Sequence, residues 1–369
     1  MNVDGQPYRT IWLSDDGAAV CVIDQRRLPH QFVTAQLRTL DDAVMAIDDM
    51  TVRGAPLIGA TAAFGVALGL RADPSDAGLA RAVTRLIGSR PTAVNLAWAA
   101  REVAAAVQPL PPAERFAAAI RDAQRICEDD VESGLRIGEH GADLLAGLKV
   151  ANRPLQVLTH CNAGWLAAVD WGTALAPVYQ AQRRGMAVHV WVDETRPRNQ
   201  GASLTAWELG QQGIAHTVIA DNTGGHLMRQ GLVDVCIVGA DRVAANGDVC
   251  NKIGTYLKAL AAFDNDVPFY AALPHSTIDW NLPSGDTIRI EERDPEEIHT
   301  IVGLDRNGAL SRVRLTPVGS AAANYAFDVT PARLISGLIT ERGVGVASPQ
   351  GLATLYPAQA RAHQQAHPQ

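Results

Sequence analysis

Residues 154–160, PLQVLTH, followed at 161–164 by CNAG, are the stretch on which the fold turns. A β-branched, apolar run too continuous to alternate reads as a strand buried on both faces, and such strands belong to parallel sheets covered by crossover helices. Four more runs repeat the pattern downstream: MAVHVWVDE (186–194), AHTVIAD (215–221), VDVCIVGAD (233–241) and VPFYAALP (267–274). Helical stretches separate them. The reading for 151–357 is therefore an α/β domain with a doubly wound, mainly parallel, Rossmann-like sheet.

Upstream the rhythm differs. AAVCVIDQ (18–25) reads as a short strand, after which LDDAVMAIDDM, GATAAFGVALGL, AGLARAVTRLIGS, NLAWAAREVAAAV and the long segment beginning PAERFAAAI read as helices with Pro and Gly at their joints. Residues 1–150 are predicted to form a smaller, mostly helical domain carrying a small β element. The end of the chain, 358–369, is expected to be disordered.

Composition narrows the function. With 32 Lys and Arg against 39 Asp and Glu, the formal net charge is −7 and no stretch clusters basic residues, so a nucleic-acid partner is not expected. The beginning of the chain lacks the pattern of a secretory signal. No apolar stretch is expected to reach bilayer-spanning length, and the reading is cytoplasmic, without a membrane partner. Five cysteines (Cys21, Cys127, Cys161, Cys236 and Cys250) are scattered and form no C-x-x-C, so neither a disulfide framework nor a metal knuckle is signalled. Neither G-x-G-x-x-G after a strand nor a P-loop occurs, which removes the main support for a nucleotide cofactor.

Each predicted strand empties into polar residues. Ligands of open α/β sheets sit outside the carboxyl ends of the strands, and that edge is stocked here with Cys161, Asn162, Asp193, Glu194, Arg196, Asp221, Asn222, Asp241, Arg242 and Ser276. Asp241, after a buried strand and Gly-Ala, is placed to be desolvated, which raises a carboxyl toward the range of a general acid. Cys161 precedes a turn whose amides are expected to lower the thiol pKa. The adjacent His160 makes no dyad with it, because consecutive strand residues face opposite ways. Arg53 and Arg90 each precede a small-residue or proline turn and a helix, an arrangement suited to an anion. Asn251, Lys252 and Gly254 are read as opening a helix, where Lys252 could meet a phosphate oxygen. Gln200 joins Asp193, Glu194 and Arg196 in a mixture of donors and acceptors suited to sugar hydroxyls.

Taken together, RGAPLIGA, RPTAVNLAWA, THCNAG, VDETRPRNQGASLTAWEL, GADRVAANGDVCNKIGTY, IRIEER and AFDVTPARLISGLITERG resemble the methylthioribose-1-phosphate isomerase family of methionine salvage, in order from about residue 8 to 346. THCNAG and GADR are shared with ribose-1,5-bisphosphate isomerases and with regulatory subunits of the exchange factor for translation initiation factor 2. The resemblance implies an aldose-to-ketose isomerisation of 5-methylthioribose 1-phosphate by a homodimer, without metal or nucleotide. It implies Cys161 and Asp241 as the catalytic thiol and proton donor, and Arg53, Gly54, Ala55, Arg90, Gln200, Asn251 and Lys252 as substrate-holding positions. The sequence departs from the commoner pattern at Asn199 and Ser203, where leucine and arginine are more usual, which bears on the exact sugar or its 5-substituent. Ribose-1,5-bisphosphate or 5-deoxyribose-1-phosphate isomerisation, and a non-catalytic sugar-phosphate or nucleotide sensor, are the alternatives. A bisphosphate would require further basic residues, and none is evident in the sequence.

Overall fold

The computed structural model describes residues 1–90, 93–148 and 152–366. The chain opens with a two-residue pairing of β1 (Asn2–Val3) and β2 (Gln6–Pro7), then an antiparallel sheet of β3 (Ile11–Leu13), β4 (Val20–Ile23) and β5 (Thr34–Leu37). Helices α1 (Leu40–Asp48), α2 (Ala55–Ala72), α3 (Asp76–Ser89), α4 (Val94–Val107) and α5 (Pro112–Gly147) follow. Thr39 starts α1 with a reciprocal capping box to Asp42.

Helix α2 is the hub of this half and corrects one sequence expectation. Its 18 residues are long and apolar enough to cross a bilayer, yet they lie buried among the other helices as a protein core. Small residues allow the close approach: a Cβ at Gly59 would lie 3.1 Å from the Asn95 carbonyl oxygen of α4. The long α5 joins the two halves. Ala119, Ala123 and Ile126 in its first part belong to the helical core, whereas Ile137, Ala142 and Leu145 in its second part pack into the core beneath the main sheet.

That sheet has seven strands: β6 (Leu155–Thr159), β7 (Val188–Asp193), β8 (Ala215–Ile219), β9 (Val235–Val238), β12 (Phe269–Ala272), β17 (Gly337–Thr340) and β18 (Gly343–Gly345), in the spatial order β18-β17-β12-β9-β6-β7-β8. All neighbours run parallel except the edge pair β17 and β18. Helices α6 (Ala176–Arg183), α7 (Ala206–Gln211), α8 (Thr223–Arg229) and α9 (Thr255–Asp264) supply the crossovers. The chain runs outward from β6 through β7 to β8, then returns to lay β9 on the other side of β6. The sheet therefore reverses direction between β6 and β9, and at such a switch point the loops leaving the two strands part to leave a crevice.

A second sheet, not evident from the apolar runs, caps this crevice. It orders β13 (Ile278–Asp279), β10 (Arg242–Ala244), β11 (Val249–Lys252) and β16 (Phe327–Thr330). A hairpin of β14 (Thr300–Leu304) and β15 (Leu310–Arg314) projects between them in sequence. The expectation that Asn251 and Lys252 open a helix is thereby corrected. Both end β11, paired with β16 through Asn251↔Asp328 and Lys252↔Phe327, and α9 begins only after Gly254, whose φ of 101° turns the chain.

Beyond α10 (Glu296–His299) the chain closes with α11 (Pro349–Leu355) and α12 (Pro357–Ala366). Residues 358–366, expected to be disordered, are helical: Ala, Gln and Arg are good helix formers, Pro357 suits a first turn, and Ala360 is buried. Residues 367–369 of the expected tail lie outside the described residues, as does Pro91 of the second arginine motif.

Candidate active site

The switch point brings the two central candidates together. Val157 and Leu158 of β6 pair with Val235 and Cys236 of β9, and the Thr159 hydroxyl donates to the Ile237 carbonyl at 2.8 Å. Cys161 follows two residues beyond Thr159, and Asp241 three beyond Val238. Both line one cavity of about 240 Å³, so a thiol and a carboxyl from adjacent strands open into the same space. Arg53, Gly54 and Ala55 reach it from the start of α2, Arg90 from the end of α3, and Gln200, Asn251 and Lys252 from the loop after β7 and from β11. All nine predicted positions line this cavity. Of the remaining edge residues, Asn162 and Arg242 also border it.

Others at the edge hold the scaffold. Asp193 is fully buried and meets His160 and Lys258. Asp221 accepts from the Thr195 and Arg196 amides at 2.7 and 2.8 Å. Ser276 accepts from the Asn95 side chain at 2.9 Å. The mixture of Asp193, Glu194, Arg196 and Gln200 expected for sugar hydroxyls thus contributes only Gln200 to the cavity wall.

Cys161 sits in left-handed backbone, φ 66°, a conformation a non-glycine residue keeps only when its surroundings hold it. They do so at both ends. Its amide donates to Thr195 Oγ1 and its carbonyl accepts from Thr205 Oγ1, each at 2.7 Å. The resulting turn aims Sγ at Gln200 Oε1, 3.1 Å away. The expected lowering of the thiol pKa is reversed. Burial pushes it up, while Lys252 and Arg53 draw it down by a smaller amount and the Asn162 amide contributes less still. The sulfur is a protonated donor to Gln200 in the free site.

Asp241 behaves as the sequence predicts. Burial raises its pKa against the pull of Lys252, Arg90 and Arg53. Burial also lowers the pKa values of those three cations, so their charges are under-solvated and an anion entering the cavity would relieve them. Three cations facing a carboxyl held toward its neutral form match a dianionic phosphate beside a proton donor. The basic supply is larger than the sequence suggested: Arg242 and Arg289 line the cavity too, with Arg242 Nη1 at 3.7 Å from Asp279. Apolar wall comes from Met50, Ile58, Ile288 and Phe327.

Sequence reasoning missed Glu208. This fully buried carboxyl accepts from Asn162 Nδ2 at 2.7 Å and from the Leu166 amide at 3.2 Å. Asn162 in turn receives Arg53, through Nη1 on its side-chain oxygen and through Nη2 on its carbonyl at 2.7 Å. Glu208 therefore orients the guanidinium through Asn162. Burial pushes its carboxyl up to about 8 against those bonds. The available signal was a lone charge within the apolar TAWEL.

Two glycines have packing reasons for lacking a side chain. Gly54 adopts φ 94°, and a Cβ there would collide with the backbone of Ala167. A Cβ at Gly164 would land on the Glu208 carboxylate. Gly164→Ala is accordingly expected to destabilise the fold by about 1–3 kcal/mol, the usual cost of forced overpacking, measured as a lower midpoint in denaturant. An unchanged midpoint would refute the rigidity ascribed to this network.

The unusual residues Asn199 and Ser203 lie in a neighbouring cleft of about 760 Å³ that shares Met50, Arg53 and Gln200 with the cavity. The departure from the commoner pattern is beside the site rather than among the nine positions.

The model of the initiation factor 2 subunit family matches residues 51–346, which span most of the helical half and all of the doubly wound sheet. A methylthioribose-1-phosphate isomerase of Paramagnetospirillum magneticum is 61% identical over 362 residues, covering 98% of this chain and all of the relative. The crystal structure of 5-methylthioribose 1-phosphate isomerase from Pyrococcus horikoshii superimposes with a TM-score of 0.80 at 39% identity, covering 95% of this chain and 96% of that one. Subunit delta of the translation initiation factor eIF-2B from A. fulgidus gives 0.77 at 36% identity, covering 95% and 99%. The chain belongs to the initiation factor 2 subunit family, on its methylthioribose-1-phosphate isomerase branch.

Proposed function

We propose that the protein is an aldose–ketose isomerase converting 5-methylthioribose 1-phosphate to 5-methylthioribulose 1-phosphate in methionine salvage, acting as a cytoplasmic homodimer. The observation that carries this reading is the convergence of Cys161, Asp241 and the three buried cations Arg53, Arg90 and Lys252 on one cavity. The names of the relatives supply the substrate.

The chemistry follows from the groups. Phosphate on the anomeric oxygen prevents spontaneous ring opening, so an acid must protonate the ring oxygen as its bond to C1 breaks. Asp241, kept toward its neutral form by burial, provides that proton. The cations hold the phosphate and offset its charge. Hydrogen then moves from C2 to C1 and the C2 hydroxyl loses its proton, leaving a ketone at C2. Cys161 borders this step. Its protonated state and the apolar wall favour direct transfer over abstraction by a resting thiolate.

The nearest alternative is ribose-1,5-bisphosphate isomerisation, for which Arg242 and Arg289 are additional cations at hand. Purified protein offered each sugar phosphate separately is expected to form ketose from 5-methylthioribose 1-phosphate with the higher kcat/KM. Preference for the bisphosphate would overturn the substrate. Ligand-induced thermal stabilisation without ketose would make the protein a sensor instead.

A further inference from the structure

We propose that His160 is a positioning residue: its imidazole, held at both ring nitrogens, clamps the turn bearing Lys252 to the strand end bearing Cys161. The inference rests on the phosphosugar reading for its kinetic consequence only.

Both ring nitrogens of His160 face acceptors. Nδ1 lies 2.8 Å from Asp193 Oδ2 at the end of β7, and Nε2 lies 2.7 Å from the carbonyl oxygen of Ile253, the residue after Lys252. A backbone carbonyl only accepts, so Nε2 carries a hydrogen. Asp193 Oδ2 also lies 3.1 Å from Lys258 Nζ, so β7, the ring and α9 meet at one carboxylate oxygen. His160 and Asp193 are 1% and 0% exposed, which leaves no water to substitute for the bond between them.

The charges facing the ring come from four elements. Asp193 ends β7, Lys258 lies on α9, Asp221 follows β8, and Asp328 lies on β16. Lys258 also donates to the Asp221 carbonyl. His160, Asp193 and Asp221 are close enough to suit a metal ion, but the Lys258 ammonium already supplies a cation there.

The far side of the clamp is equally defined. Asp328 accepts from the amides of Gly254 at 2.7 Å and Tyr256 at 3.1 Å, while His160 holds the Ile253 carbonyl, so the peptide after Lys252 is gripped at both polar atoms. Gly254 lets the ring approach: a Cβ there would lie 3.0 Å from His160 Cε1 and Nε2. Lys252 is then directed by its own bond to the Ala326 carbonyl at 3.0 Å and by the Phe327 ring, 4.4 Å from its ammonium. Because His160 adjoins Cys161 in sequence, one ring fixes the spacing between the thiol and the phosphate-facing ammonium.

The test has two arms. His160→Gln retains at most part of the paired contact, and its KM for the sugar phosphate is expected to rise about tenfold or more with a smaller change in kcat, since the misplaced group holds phosphate. An unchanged KM, or a loss confined to kcat, would overturn the clamp. The second arm uses wild-type protein labelled with 15N-histidine. One of the ten imidazoles should carry an Nε2–H that exchanges slowly with solvent, since the His160 ring is buried and that nitrogen faces the Ile253 carbonyl. Finding no such ring would refute the proposal even if the variant failed to fold. Absence of turnover in the wild type would count against the isomerase reading and leave the ring measurement to decide this one.

Discussion

Asp241→Asn is expected to lower kcat by about 10²- to 10⁴-fold, the usual worth of a positioned general acid, in a protein that still folds. Asparagine fills nearly the same volume but has no proton to give to the ring oxygen. The pH dependence separates this from a packing effect. On the proposed mechanism the active form of the wild type is the protonated carboxyl, and burial raises its pKa above the ordinary value, so activity should fall as pH rises through that raised value. The variant should lack this limb. Stability has the same sign: a raised folded-state pKa stabilises the fold below the unfolded carboxyl pKa, and the contribution is lost as pH rises through the folded value. The substituted amide cannot ionise, so the variant's thermal midpoint should decline less than that of the wild type as pH is raised. Near-normal turnover would remove Asp241 from the mechanism.

Cys161→Ser should also lower kcat, by about 10²-fold through altered packing at the reacting carbons, with KM changing far less. Serine retains a donor for Gln200 Oε1, and the hydrogen bonds with Thr195 and Thr205 address only the backbone of residue 161. The turn should therefore persist. What changes is the atom that the proposed mechanism puts beside C1 and C2: a larger, polarisable and more acidic sulfur becomes a small, water-like oxygen. On the proposed reading phosphate binding falls to Arg53, Arg90 and Lys252, none of which the substitution alters, so a variant whose main defect was KM would contradict the assignment. Together with His160→Gln, where KM is expected to carry the effect, this pair separates the group at the reacting carbons from the group that aims the phosphate clamp.

Much of the candidate site was legible because strands that are buried on both faces announce themselves. The five apolar runs led to the correct sheet, and the residues immediately after the first and fourth proved to share a cavity. Glu208 was not legible as a participant, since its partner Asn162 is 46 positions away in the chain and no local pattern pairs them. The sheet of β10, β11, β13 and β16 escaped for a related reason. Its strands are short, and two of them, β13 and β16, acquire their pairing wholly from segments distant in sequence.

The sign of the thiol shift shows the same division. Turn amides near Cys161 pointed to a lowered pKa, but the outcome is a balance among burial, Lys252 and Arg53, and all three depend on what surrounds the sulfur in space. Sequence alone determined the period of the strands, the helical first half and the residue types delivered to the sheet edge, because these follow from local sterics and the alternation of apolar and polar positions. Tertiary structure decided which strand ends adjoin and which polar groups are stripped of water. The reversal between β6 and β9 makes neighbours of Cys161 and Asp241, and desolvation in that crevice, a property of the whole packed assembly, sets their protonation.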